Sequence, residues 1–330
     1  MPRFTVVQSE HLSPEPAAWL AERINLVVCP YDDPAFSDAL SEADGLIVRT
    51  YTGVDAALLR KAPRLKVVGR AGVALENIDL DACGARGVEV VHAPGSNTQA
   101  VVEYVLALLL DALRPRQTTD QPLSMSAWNK LRAATFARRQ LNELTLGILG
   151  FGRIGSRLAA VADAIGCRVR FHDIRDVPAA QHGNTTPVDL QTLFAESDVI
   201  SLHIDSRQEN RGFVDRTLLS LMKPNVILLN TSRGFILDND ALRAFLQNHP
   251  DALAVLDVHD PEPFDASYPL LELPNARLLP HLAGRTETAM TNMSWVVRDV
   301  LAVLEGRPPE FPAPRPSDPL SQTQQPSREA

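Results

Sequence analysis

Short apolar runs recur along the first hundred positions, at Phe4-Thr5-Val6-Val7 and over residues 24–28, 45–48, 65–68 and 88–91, with helix-length stretches between them. Runs of this length, spaced by helical patterns, predict strands buried on both faces and joined by crossover helices, and so parallel pairing. A second series occupies residues 146–149, 168–172, 199–203, 226–230, 253–258 and 277–279. Between the two series lies a long apolar helix over 97–113, entered after Pro94 and Gly95 break the strand before it. The stretch 114–140 that follows is polar and irregular, and is too long for an ordinary loop inside a domain. It predicts an arm that packs on a partner subunit or on the other domain. One last helix is expected over 285–304, stopped by Gly306 and Pro308, and the remainder, rich in Pro, Ser and Gln, is expected to be a disordered tail.

Composition narrows the class. At 330 residues the chain has room for two domains with cores of their own, and 45% hydrophobic with 22% charged residues is a globular balance. The formal net charge of −8 opposes nucleic acid as the principal partner, and Arg138 with Arg139 is only a short basic patch. No stretch approaches the roughly 18 uninterrupted apolar residues of a membrane span, and Met1-Pro2-Arg3-Phe4 opens no signal peptide, so a cytoplasmic protein without a membrane partner is expected. Cys29, Cys83 and Cys167 are far apart and odd in number, which suits core thiols in a reducing compartment. No metal-ligand spacing occurs, and no metal is expected.

The chemistry begins at residues 144–173. Gly150-Phe151-Gly152-Arg153-Ile154-Gly155 fits GxGxxG, a weak motif alone that gains force from its setting. An apolar strand precedes it, a helix over 154–165 closed by Gly166 follows, and the next strand ends in Asp173. In such a unit Gly150 permits the tight turn, Gly152 lets backbone approach a pyrophosphate, and Gly155 lets helix pack on strand. The helix N-terminus offers unpaired amides and a positive dipole end to the phosphates. Asp173 should accept hydrogen bonds from an adenosine ribose and repel a 2′-phosphate, so NAD is expected over NADP, a preference that nearby Arg175 weakens slightly.

Four further segments, Arg70-Ala71-Gly72-Val73-Ala74-Leu75-Glu76-Asn77-Ile78-Asp79, Asn230-Thr231-Ser232-Arg233-Gly234, residues 256–263 and Pro280-His281-Leu282-Ala283-Gly284, stand in the order of a known family. Over roughly residues 6–309 the chain resembles the D-isomer-specific 2-hydroxyacid dehydrogenases, which include phosphoglycerate and glyoxylate/hydroxypyruvate dehydrogenases. The resemblance implies an α/β fold of two lobes: a flavodoxin-like substrate domain from residues 1–97 and 286–310, and an inserted Rossmann NAD-binding domain over 98–285. The inserted domain includes the connector helix and an arm over 114–141; 311–330 is the expected tail. A homodimer is the family expectation.

The resemblance also implies roles. Arg233 would hold the substrate's carboxylate and carbonyl oxygen, as suits a planar cation facing developing negative charge. His281 would be the acid/base, with Glu262 orienting it, a task suited to imidazole because both of its protonation states are accessible near neutrality. Asp257 would meet the nicotinamide side of the cofactor, and Arg153 with Ile154 the pyrophosphate. Val73, Ile204, Thr231, Ser232, Arg233 and the turn from His281 to Gly284 match further cofactor contacts. Arg49, in Leu46-Ile47-Val48-Arg49-Thr50, aligns with a carboxylate-binding arginine of some members, helped by the amides of Ala71 and Gly72.

The sequence departs from the family at His259, where an aromatic is usual, at Asp205, where a proline is usual, and at Glu143 in place of a glycine. Formate dehydrogenases of the family carry glutamine where Glu262 stands, which argues against that activity. No ACT-like domain follows Pro309, which weighs against feedback-regulated serine synthesis. The expected reaction is hydride transfer between nicotinamide and C2 of a small 2-hydroxy or 2-keto acid, under closure of the two lobes. An NAD-sensing dimeric scaffold, like the family's corepressor members, is the alternative.

Overall fold

Successive side chains of a strand point to opposite faces, and along both sheets of this chain both faces carry apolar residues that need cover. The computed structural model describes residues 4–114, 116–137 and 139–314. These form two compact units, one from the described residues up to Asn97 and from Arg285 onward, the other Thr98–Gly284.

The first unit opens with β1 (Thr5–Gln8), α1 (Pro14–Ala21), β2 (Asn25–Val28), α2 (Phe36–Ser41), β3 (Gly45–Val48), α3 (Ala56–Lys61), β4 (Val67–Arg70), α4 (Leu80–Ala85) and β5 (Glu89–Val91). The strands are parallel in the order β2-β1-β3-β4-β5, the flavodoxin-like arrangement. Val7, Leu46, Val48 and Val68 pack under α2, α3 and α4 through Leu40, Leu59 and Cys83. Val6, Ile47 and Val67 pack on the opposite side, with Leu20 of α1. All three cysteines are buried and free.

In the second unit α5 (Thr98–Leu113) and α6 (Met125–Ala134) precede β6 (Thr145–Leu149), α7 (Arg153–Ala164), β7 (Arg168–His172), β8 (Thr186–Pro187), α8 (Leu190–Glu196), β9 (Val199–Leu202), α9 (Arg216–Leu221), β10 (Ile227–Asn230), α10 (Asn239–Asn248), β11 (Leu253–Leu256) and β12 (Ala276–Leu278). The seven strands run parallel in the order β12-β11-β10-β9-β6-β7-β8. This is the doubly wound order with one strand added, and the direction of winding reverses at β6. Leu146 and Ile148 face α5 and α7, while Leu149, Ile200 and Leu202 face α8 and α9.

The chain then returns to the first unit with α11 (Glu287–Ser294) and α12 (Val297–Leu304). Val297, Val300, Leu301 and Leu304 complete the second face of the five-stranded sheet. A Cβ on Gly69 would lie 2.4 Å from a methyl of Val300, so the glycine lets α12 rest directly on β4.

Three expectations are corrected, and one strand was not foreseen. The helix expected over 285–304 is broken at Trp295 and Val296: Ser294 Oγ donates back to Met290 O (2.8 Å) and accepts the Ser13 N–H (3.0 Å), and back-bonding of this kind bends helices. The 114–140 stretch holds α6, capped by Ser124 Oγ accepting the Ala127 N–H, although none of its side chains is buried. The two-residue strand β8 escaped notice because Thr186 and Pro187 are exposed and carry no apolar run. Residues 311–314, expected in the tail, dock on β5: Pro312 bridges Val91, His92 N–H reaches Phe311 O, Ala313 N–H reaches Val90 O, and Ala313 joins the core. Residues 315–330 of the expected tail, and Arg138 of the basic patch, lie outside the described residues.

Asp299 of α12 secures this docked segment. It is 8% exposed and accepts the N–H groups of Glu310 (2.8 Å) and Phe311 (3.0 Å). Asp299→Ala should cost about 1–3 kcal/mol for the stranded amides and speed limited proteolysis near residue 310. Unchanged stability and cleavage would show that β5 alone holds the segment.

Candidate active site

Loops at the carboxyl ends of parallel strands are where doubly wound sheets bind ligands, at the point where winding reverses. In the second unit that edge carries every cofactor-domain residue singled out above: the glycine turn after β6, Asp173 after β7, Ile204 after β9, residues 231–233 after β10, Asp257 and Glu262 after β11, and His281 to Gly284 after β12.

The glycine turn fits a dinucleotide. Gly150 has φ +94°, and a Cβ there would press on the His203 carbonyl at 2.7 Å. A Cβ on Gly155 would lie 2.0 Å from Gly150 O, whereas one on Gly152 would meet nothing within 4 Å, so that position faces open space. Gly152 is the N-cap of α7 and supplies no side-chain cap, which leaves the first amides of the helix available to phosphate oxygens. Thr231 Oγ1, buried, has no hydrogen-bond partner within the described residues, an orphan a bound cofactor would satisfy.

Asp173 sits beside the turn and accepts the Phe151 N–H at 2.7 Å. Burial would raise its pKa, but the bonds from Arg175 and Phe151 outweigh this and hold the carboxyl below its ordinary value. His203 is pushed down to about 4 by burial, and its Nε2 bonds Ser201 Oγ at 2.8 Å.

The acid/base pair is assembled from two loops. His281 Nδ1 lies 2.8 Å from Glu262 Oε2, and Glu262 Oε1 accepts the His259 N–H at 2.7 Å. Burial would raise the Glu262 carboxyl, yet the bonds from His281 and from His259 outweigh it and keep it below the ordinary range. His281 is the one non-glycine of the described residues at positive φ, +54°. Asp257 explains how the turn is held: fully buried, it accepts the Leu282 N–H on Oδ1 and the Ala283 N–H on Oδ2, both at 2.8 Å. Burial raises its pKa despite those two amides.

Arg233 begins the turn after β10, half-buried, with Nη1 donating to Ser232 O (2.7 Å) and its own carbonyl fixed by Asn230 Nδ2 (2.9 Å). A Cβ on Gly234 would fall 1.9 Å from the His259 carbonyl carbon, so the Arg233 loop lies directly against the loop that carries Glu262. His259 itself is buried, its Nε2 against Leu279 O (2.8 Å) and Nδ1 against Tyr268 OH (3.2 Å). It braces the Glu262 loop against the strand end that leads into His281.

The first unit carries Arg49, Ala71, Gly72 and Val73 at the ends of β3 and β4. The amides of Ala71 and Gly72 are spent, on Val48 O and Arg70 O, both at 2.8 Å, which corrects their expected role as carboxylate donors. The N–H groups of Val73 and Ala74, next along the turn, reach no acceptor among the described residues. Glu10 escaped the sequence reading. Its carboxylate accepts the N–H groups of Arg49, Thr50, Tyr51 and Thr52 at 2.9–3.2 Å and so fixes the loop that presents Arg49. Burial lowers the pKa of Arg49, with Glu10 opposing and Arg285 adding to the effect.

Known proteins resemble this chain over most of its length. Residues 106–283 match the family described as D-isomer specific 2-hydroxyacid dehydrogenase, NAD binding domain. A glyoxylate reductase from Aeropyrum pernix is 34% identical over 94% of this chain and 95% of its own length. The chain belongs to the D-isomer specific 2-hydroxyacid dehydrogenase family. A D-3-phosphoglycerate dehydrogenase from Mycobacterium tuberculosis is 37% identical over 90% of this family member and 57% of its own length. The chain spans about half the length of the D-3-phosphoglycerate dehydrogenases it matches. The D-lactate dehydrogenase of Aquifex aeolicus, solved with NAD and lactic acid, superposes with a TM-score of 0.76 at 28% identity, over 92% of this chain and 96% of that one. The second unit of this family member is therefore an NAD-binding domain. Among the described residues no helix is long and apolar enough to cross a membrane, and no group of three or more His, Cys, Asp or Glu could hold a metal ion.

His203, half-buried and with its pKa pushed down to about 4, sets a pH dependence. A free histidine titrates near ~6.5, so between that value and about 4 the unfolded chain binds a proton that the folded chain refuses. Stability should therefore be full above pH ~6.5 and fall as the pH is lowered toward 4. His203→Gln should flatten the slope of unfolding free energy over that window by up to about one proton, measured by urea denaturation at several pH values. An unaltered slope would place the acid sensitivity elsewhere.

Proposed function

We propose that this chain catalyses reversible NAD-dependent hydride transfer at C2 of a small D-2-hydroxy acid or 2-keto acid, with Arg233, Glu262 and His281 as its working groups. The observation that carries the reading is the 2.8 Å pairing of His281 Nδ1 with Glu262 on the sheet edge that also bears the glycine turn. With Nδ1 engaged, Nε2 is the nitrogen that gives a proton to the substrate oxygen in reduction and takes it back in oxidation. Glu262 stays ionised, fixes the tautomer and stabilises the imidazolium. Arg233 offers a planar cation to the carboxylate and to the charge growing on the carbonyl oxygen.

The nicotinamide, when bound, supplies or accepts the hydride. The amides at the start of α7, with Arg153 and Ile154, hold its pyrophosphate, and Asp173 its adenosine ribose; Val73, Ile204, Thr231, Ser232, Asp257 and Gly284 provide further contacts. Arg49 and the N–H groups of Val73 and Ala74 take the substrate carboxylate. The names of the two relatives, a glyoxylate reductase and a D-3-phosphoglycerate dehydrogenase, support a small 2-hydroxy acid as the substrate class.

His281→Ala should lower kcat by about a hundred- to ten-thousandfold, and Arg233→Ala should lower kcat/KM by about a hundred- to a thousandfold, with NADH still bound. Oxidation of NADH by a panel of 2-keto acids, glyoxylate, hydroxypyruvate and pyruvate among them, measures both. Wild-type turnover in either variant removes that residue from the chemistry. Tight NADH binding with no turnover on any acid would favour the scaffold reading.

The protein acts as a homodimer through its arm. The support is a groove of about 890 Å³ between α5 and α6, where Leu106, Leu110, Trp128 and Leu131 lie among charged side chains such as Asp111 and Arg132. Trp128 of its lining is 48% exposed, and Met125 and Phe136, on the same stretch of chain, are 74% and 82% exposed, large apolar side chains of the kind that mark an interaction site when they cluster. Light scattering should give twice the chain mass, and Trp128→Asp with Phe136→Asp should give monomers; a monomeric wild type would refute the dimer.

A further inference from the structure

The carboxylate that should read the adenosine ribose is already saturated. A carboxylate offers about four acceptor positions, and Asp173 has a donor at each. Oδ1 accepts the Arg175 N–H and Nε–H, both at 2.9 Å; Oδ2 accepts the Phe151 N–H at 2.7 Å and Arg175 Nη2–H at 3.1 Å. Arg175 Nη2 also donates to Phe151 O at 3.0 Å, which ties the guanidinium across the glycine turn. The two backbone donors cannot leave, but the guanidinium can: Arg175 is 49% exposed where Asp173 is 9% exposed. Ribose hydroxyls reach Asp173 only by displacing it.

A second pair of the same form stands on the loop after β9, the other neighbour of β6. Arg207 Nε bonds Asp205 Oδ1 at 2.8 Å and Nη2 bonds Oδ2 at 2.5 Å, and Arg207 also feels the charge of Asp173. Asp205 stands where the family resemblance leads one to expect a proline. The paired groups of the two loops therefore sum to zero charge, where an unaccompanied Asp173 would present −1 to an incoming phosphate. Asp173 and Arg175 together border a cavity of about 120 Å³ with His172, Val177, His182 and Val188.

We propose that Arg175 sets the coenzyme preference: it occupies the positions on Asp173 that an adenosine ribose needs, and once displaced it becomes the cation that pairs with a 2′-phosphate, so the chain accepts NADP as well as NAD. The inference rests on the dinucleotide reading of the glycine turn. NAD binding pays for release of the ion pair and regains little, because the guanidinium then faces water. NADP binding exchanges one anionic partner of Arg175 for another, with the fork geometry suited to phosphate.

The test is direct binding of NADH and NADPH to the full chain by calorimetry, without substrate. Wild type should bind NADPH within about tenfold of NADH. In Arg175→Ala the NADPH/NADH ratio of Kd should rise at least about fivefold, because NADPH loses a charge-assisted fork on its phosphate while NADH, freed of a competitor on a half-exposed pair, binds unchanged or tighter. Arg175→Lys keeps the charge and gives up the fork; it should hold NADPH better than the alanine variant, and it carries the test if that variant does not fold. A ratio that moves by less than fivefold in the alanine variant, or a ratio that does not rise at all in the lysine variant where the alanine variant does not fold, overturns the inference while leaving the dinucleotide reading in place. Binding of neither coenzyme overturns both.

Discussion

Asp257 has no solvent exposure, yet each of its oxygens receives a backbone N–H, from Leu282 and from Ala283, across 25 and 26 residues of chain. That pair of bonds closes the turn after β12 and sets where His281 must stand. The cost of the turn is visible at His281, whose φ of +54° few non-glycine residues adopt, histidine more often than most, in company with Asn and Asp. A residue kept in that region must be over-determined by its surroundings. Here the surroundings are Asp257 below and Glu262 at Nδ1, with His259 bracing the Glu262 loop against Leu279 O. Without Asp257 the imidazole would relax away from its carboxylate, and the proton-exchanging nitrogen would lose its fixed direction.

What the sequence made legible is what depends on neighbours in the chain. The glycine turn could be read because each glycine answers a local demand: Gly150 a positive φ, Gly155 the approach to Gly150 O. The Asn230 to Gly234 turn is equally local, with Asn230 bonding Ser232 and Arg233. Strand runs were visible because parallel strands buried on both faces are nearly unbroken apolar segments. Glu10 was not legible, since it meets its four amides from 39 to 42 residues away and nothing in its own neighbourhood announces them. The spent amides of Ala71 and Gly72 belong to the same class: the motif located the turn, but only hydrogen-bond accounting shows which N–H groups are free. The helix break at Trp295 depends on Ser13, at the other end of the chain, reaching Ser294.

The two units solve the same positioning problem twice. In each, a parallel sheet buried on both faces leaves only strand ends and loops for chemistry, so Arg49 and Val73 fall at the ends of β3 and β4 just as Arg233 and Glu262 fall beyond β10 and β11. Loops alone would hold such groups loosely, and this chain stiffens them with carboxylates that accept backbone N–H bonds. Glu10 does so for residues 49–52, Asp257 for 282–283 and Glu262 for His259.

Those carboxylates differ in one respect that separates scaffold from reader. The bonds into Glu10 and Asp257 come from main-chain donors, which no ligand can displace without unfolding the loop. Glu262 divides its oxygens, one on a backbone N–H and one on the imidazole, so half of it is scaffold and half is chemistry. Asp173 also has two backbone donors, but its other two come from a half-exposed guanidinium on a long, rotatable stem. A ligand can compete for a carboxylate only against donors of the second kind, and the strength of that competition is set by how exposed the donor is. By that criterion the flexible partner, and not the buried acid, is the place where this glycine turn can be tuned toward one coenzyme or the other.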